Sequence, residues 1–277
     1  MTRFSIAVLG VSMGALGVLA ASCGSAGAQI VLPGAAAPAG SGEPADARPA
    51  RKPDKPEKSA ADFSVGVAAV VGRPLRLDGK RGRLLLSGHG KLVRIDKFSL
   101  PGEVISDPSQ KCLIDIVGEA PIEAKNLGRP DGLARYQAEI PACPFSFDLL
   151  DGAVLVPAQN TACVFQAADC QASPGGLWGP DGANLENDAK SIERQRARAD
   201  AAAAGSLRTL QARLKGQPEA DDMARDEGDF PAQRDDVCRD YEKEAVHGYC
   251  ASRMAQAHAA HLKARIDALE RRPAAQD

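Results

Sequence analysis

Six cysteines, Cys112, Cys143, Cys163, Cys170, Cys238 and Cys250, lie in the last two-thirds of this chain, and they constrain its fold more than any other feature. No CxxC pair occurs among them, so a zinc site built on close ligand pairs is not expected. An even set in an exported chain reads instead as three disulfides in an oxidising compartment. Sequence neighbours favour Cys112–Cys143, Cys163–Cys170 and Cys238–Cys250. Closing the first loop would stabilise a domain by about 3–4 kcal/mol on the chain-entropy account.

The N-terminus carries the export expectation. Arg3 precedes an apolar stretch, residues 4–21, that ends in small residues at Ala26-Gly27-Ala28. This is the three-part layout of a secretory signal peptide over residues 1–28. Gly10, Ser12, Gly14 and Gly17 dilute the stretch below what a spanning helix of about 20 strongly apolar residues requires. Leu19-Ala20-Ala21-Ser22-Cys23 forms a partial lipobox, so lipidation of Cys23 is the alternative to ordinary cleavage before Gln29. The two outcomes correspond to a periplasmic or secreted protein and to an outer-membrane-tethered lipoprotein, and a lipid at Cys23 would be its one membrane attachment.

Residues 29–61 follow as a Pro/Ala-rich linker, with hardly a large apolar side chain from Pro33 to Ala60, a composition that cannot bury a core. The formal net charge of −2 provides no basic field for nucleic acid. Aromatics at 4% limit stacking platforms for single strands.

Residues 62–172 read as strand-length runs broken by turns at Asp78-Gly79, Pro101-Gly102, Pro130-Asp131-Gly132 and Asp151-Gly152. The segment 149–154 is a hairpin signal. An antiparallel β-domain is expected, a small sandwich or an open barrel, with Cys112 sharing one face with Ile114 and Ile116. Residues 173–277 turn helical, which makes the chain α+β. Leu185, Ala189, Ile192, Ala199, Ala203, Leu207, Leu210 and Leu214 recur at helical intervals. Gly216-Gln217-Pro218 ends that helix. A second begins near Glu219 and is expected to break at Gly228 and Pro231 before a third carrying Arg234, Asp235, Val237 and Tyr241. A last helix starts near Ala251, giving a disulfide-clamped helical hairpin bundle.

The segment 225–238, followed by Cys250, resembles the N-terminal domain of the lysozyme inhibitor LprI family, a small exported helical module. Phe230 stands at the family's aromatic position, Arg234-Asp235 at its Arg-Asp position, and Cys238 with Cys250 at its paired cysteines. Glu227 replaces the usual Gln, and Gly228 and Pro231 interrupt what is normally an unbroken helix. The resemblance covers roughly the last hundred residues and leaves the β-domain outside it. It implies lysozyme, or another envelope protein, as partner. The motif residues themselves read as structural: Phe230 filling the bundle core, Arg234 pairing with a carboxylate or capping a helix, and Cys238–Cys250 clamping two helices.

No HExxH, P-loop or dinucleotide fingerprint occurs, and no cofactor or catalytic set is expected. Asp131, Asp148 and Asp151 are distant acid candidates, with nothing in the sequence to pair them. His258 and His261 share a helix face and could meet His247 at a metal, but they read as surface residues. Gly88-His89-Gly90 reads as a turn. The acid-rich run Glu219, Asp221, Asp222, Asp226, Glu227 and Asp229 is a candidate patch for a cationic partner such as lysozyme.

Overall fold

In a computed structural model that describes residues 66–158 and 161–271, eleven antiparallel strands are followed by four helices. All described residues fall in one contact unit. The signal peptide, the linker and Cys23 lie outside the described residues.

The strands are β1 (Leu75–Leu77), β2 (Arg81–His89), β3 (Leu92–Val104), β4 (Lys111–Asp115), β5 (Ile122–Gly128), β6 (Ala134–Ala138), β7 (Phe145–Leu150), β8 (Ala153–Val156), β9 (Cys163–Phe165), β10 (Cys170–Ala172) and β11 (Gly176–Gly179). Eight of them form an unbroken ring of ladders in the order β1, β2, β3, β5, β6, β7, β8, β11 and back to β1. The β-domain is therefore a closed up-and-down barrel, neither a sandwich nor an open barrel. Closure leaves the ring itself without edge strands. Register shifts at Leu85/Leu86 and Asn126/Gly128 supply the local bends that closure requires.

An eight-stranded barrel has an interior just wide enough for side chains to fill. Here Phe98 contacts Phe145 and Trp178 at centroid distances of 5.3 and 5.4 Å, and Trp178 Nε1 donates to the Pro174 carbonyl at 2.9 Å. Leu75, Leu86, Ile95, Leu100 and Leu149 complete the packed centre.

Two excursions leave the meander. One is β4; the other is the β9–β10 hairpin. Both β4 and β10 pair with the last part of β3. The disulfides follow from this arrangement: Cys112 bonds Cys170, tying one excursion to the other, and Cys143 bonds Cys163, tying the β6–β7 connection to β9. The expected Cys112–Cys143 and Cys163–Cys170 pairs are thus incorrect. Cys163 and Cys170 lie on paired strands, but their registered partners are Ala172 and Phe165, so the two cysteines do not face each other. The third bridge joins Cys238 to Cys250, as the spacing predicts. Three disulfides mark an oxidising, non-cytoplasmic environment. No described helix is long and apolar enough to cross a membrane.

The boundary placed after residue 172 falls inside the barrel, because β11 closes it. The wall formed by β7, β8 and β11 is buried on both faces. Leu149, Val154 and Trp178 point into the barrel, whereas Leu150, Ala153 and Leu177 point outward into a second core shared with Tyr241, Tyr249, Cys250 and Met254. Period-2 alternation puts successive side chains on opposite sides, so a wall covered twice reads as a nearly continuous apolar run.

The helices are α1 (Ala189–Arg213), α2 (Glu219–Cys238), α3 (Glu244–His247) and α4 (Tyr249–Arg271). A third core joins α1, α2 and α4 through Ala203, Leu210, Met223, Ala259 and Leu262. Contrary to expectation, α2 runs unbroken through Gly228 and Pro231. Its two ends are anchored separately, Met223 in the third core and Cys238 in the second, and this tertiary fastening outweighs the local preference to stop.

Candidate functional site

Helix α2 is unusual in burying only Met223 and Cys238 over its length while carrying eight carboxylates and two arginines. Glu219, Asp221 and Asp222 occupy its first turn, where negative charge complements the helix dipole. Asp221, Asp222, Asp226 and Asp229 are exposed, and Glu219 and Glu227 are half-buried.

The middle of α2 faces α4. Phe230 lies flat on the His258 ring, with centroids 3.9 Å apart and planes 11° from parallel. His258 Nε2 is 3.2 Å from Glu227 Oε2, and Arg265 donates to Asp226 Oδ2 at 2.7 Å. Asp222 pairs with Arg225. The acid-rich run is therefore partly neutralised from within and from α4. Phe230 is half-buried at this seam and does not fill the bundle core as expected.

The barrel supplies the other wall. Arg135 on β6 donates from Nε and Nη2 to both oxygens of Asp148 on β7, at 2.7 and 2.8 Å, and its Nη2 also lies 2.8 Å from Asp131 Oδ2. Asp131 in turn lies 3.8 Å from His261 Nδ1. The bidentate contact with Asp148 raises the Arg135 pKa further, against the opposing effect of its partial burial. Burial holds His261 below the ordinary histidine range, with Asp131 pulling the other way.

Gly132 lets this loop approach α4. Its φ is +82°, and a Cβ there would come within 2.5 Å of the Ala260 carbonyl oxygen. Together α2, α4 and the loop bound a cleft of about 600 Å³ that includes Asp131, Arg135, Asp226, Glu227, Asp229, Phe230, Gln233, His258 and His261. Leu133, Leu155, Met254 and Ala257 supply an apolar part of its lining, so the cleft is mixed in character, with carboxylates from α2 along one side.

Two expectations are corrected here. Asp131 and Asp148 are paired, through Arg135. His258 and His261 are cleft residues with carboxylate neighbours and are not plain surface histidines. The sequence reading missed Arg135 altogether. Arg135 and Asp148 are registered partners across β6 and β7, so the signal was a cross-strand charge pair visible once the register is known.

His247 lies elsewhere, buried against α4, with Nδ1 accepting from the Tyr249 N–H at 3.1 Å and Nε2 at 2.8 Å from the Glu242 carbonyl. Both ring nitrogens are thus engaged by backbone groups, away from His258 and His261. Among the described residues no group of three or more histidines, cysteines or carboxylates is arranged to hold a metal ion.

Arg234 and Asp235 bond each other through Asp235 Oδ1 at 2.9 and 3.1 Å, beside Arg196, Arg239 and Glu244 in a shallower depression of about 400 Å³. Glu244 caps α4 by accepting from the N–H groups of Cys250 and Ala251 at 2.9 and 2.8 Å. Asp151, at the β7–β8 turn, faces Arg253 outside the cleft.

Compared with family models, curated proteins and solved structures, the chain matches none of them.

Proposed function

We propose that the chain is an exported, non-enzymatic binding protein of the bacterial cell envelope, periplasmic or secreted, which captures a cationic protein on helix α2. One observation carries this reading: α2 buries two side chains, keeps Asp221, Asp222, Asp226 and Asp229 exposed, and among the described residues is fastened mainly at its ends, at its Phe230 seam and through Asp226 and Glu227 to α4. A helix that contributes so little to the core, yet holds a concentrated charge, is suited to steer an oppositely charged partner. The resemblance of residues 225–250 to the lysozyme inhibitor LprI family supports lysozyme as that partner. A lipid on Cys23 would tether the same module to the outer membrane without altering its binding face. A muramidase assay with the mature, oxidised protein tests the proposal, and absence of inhibition of any c-type lysozyme at micromolar excess removes the inhibitor reading.

A second reading places the partner, or an assembly of the envelope, on the β-domain. It is favoured by Leu113 on β4 and Val164 on β9, which are 63% and 44% exposed on the two excursions. Strands outside the closed ring offer unpaired backbone edges for a partner strand. Crosslinking in the periplasm distinguishes the two, because Leu113→Lys with Val164→Lys abolishes capture in this reading and leaves it unchanged in the first.

A further inference from the structure

On the face of the barrel near the start of β1, Arg253, the fifth residue of α4, is 6% exposed. Its Nη1 donates to Gln256 Oε1 at 2.9 Å and to Asp151 Oδ2 at a long 3.3 Å. Its guanidinium carbon stands 4.6 Å from the centroid of the Tyr249 ring. Its Nε is buried and has no partner among the described residues. A buried guanidinium whose Nε is unpartnered, with a single, largely exposed carboxylate as counter-ion beside its contact with Tyr249, is an incompletely satisfied cation.

The same side chain lines a pocket of about 610 Å³ together with Arg73, Arg76, Asp151, Asp181 and Tyr249. Arg73 Nη1 lies 3.6 Å from where a Cβ on Gly152 would sit, which brings a second guanidinium to the hairpin tip that holds Asp151. Arg76 is shared with Asp181 at 3.5 Å. Three arginines against two carboxylates leave the lining net positive, and the volume is that of a small-molecule site, larger than a bare ion needs.

We infer that this pocket binds a small molecule through an oxyanion, carboxylate or phosphate, which takes the place of Asp151 on Arg253 and is met from the solvent side by Arg73. The planar fork of arginine suits two-point recognition of either group. Asp151 is 58% exposed on its side chain, so it can swing out while the β7–β8 turn stays in place.

The test is an amide NMR titration of the oxidised protein with inorganic phosphate and, separately, with acetate, the two arms telling one oxyanion chemistry from the other. Saturable shifts centred on Gly152, Asn184 and Tyr249 are expected with at least one anion. Arg253→Gln should weaken binding by about tenfold or more at unchanged fold, judged by the dispersion of the barrel amides. Asp151→Asn should tighten binding by roughly three- to tenfold, since it removes the competing carboxylate. That gain is a result a structural role for Arg253 would not produce, and it keeps the test decisive if Arg253→Gln does not fold. Non-saturable shifts with both anions, shifts centred elsewhere, or an Asp151→Asn variant that binds no better would overturn the inference.

Discussion

Phe230 and His258 stack face to face across the seam between α2 and α4, with ring centroids 3.9 Å apart. Among the described residues this is the one ring contact tying the middle of α2 down, and Met223 and Cys238 are buried nearer its two ends. The acidic surface thus rides on a helix whose attachment is concentrated at a few points.

Phe230→Ala should therefore loosen α2 selectively. A half-buried stacked aromatic of this kind contributes about 1–2 kcal/mol. Hydrogen exchange should quicken for amides around residues 226–233 while the barrel strands keep their protection. Equal loss of protection in both regions would show that the seam is not local.

Pro231→Ala should stabilise the protein by about 1–3 kcal/mol, because it restores the helix bond from residue 231 to the Glu227 carbonyl and removes the ring clash. Thermal unfolding measures it. An unchanged or lower melting temperature would mean that the unfolded-state restriction by proline matters more than the missing bond.

The disulfides should separate by loop length. Replacing Cys112 and Cys170 together by serine removes a bridge spanning 58 residues and should cost about 4 kcal/mol, whereas replacing Cys143 and Cys163, 20 residues apart, should cost about 3 kcal/mol. A non-reducing peptide map should return Cys112 with Cys170, and denaturant unfolding of the two double variants ranks the costs.

His261 should titrate below 6.5, its ordinary value, because burial disfavours its charged form. Between that value and the lower folded pKa, the unfolded chain binds more protons than the folded one, so stability falls as pH drops through the window. Asp131→Asn should depress the His261 midpoint further by removing a favourable charge. Ring-proton NMR of His261 in both proteins reads this directly, and a midpoint at or above 6.5 would contradict it.

Much of the fold was legible in the sequence because its signals are local. Asp151-Gly152 announced the β7–β8 hairpin, Gly216-Gln217-Pro218 ended α1, and the spacing of Ile192, Ala199, Ala203 and Leu210 placed its buried face. What was not legible depends on contacts distant in sequence. Barrel closure rests on the β1–β11 ladder, which registers Leu77 with Trp178, and the pairing of Cys112 with Cys170 follows from two excursions meeting at the end of β3. The continuity of α2 through Pro231 likewise depends on anchors in two different cores. At the cleft, the acid-rich run and the shared helix face of His258 and His261 were readable, but Arg135 and the histidine–carboxylate neighbours were not, since no spacing rule links residues 131, 148 and 227 to that face.

The claim that α2 is the capture surface is tested most directly by calorimetric titration of the oxidised protein with a c-type lysozyme, comparing the wild type with the Asp221→Asn, Asp222→Asn, Asp229→Asn triple variant at low and physiological salt. Saturable binding that weakens with salt and falls by about tenfold or more in the variant is the expected result. No binding by the wild type, or equal binding by the variant, would contradict it.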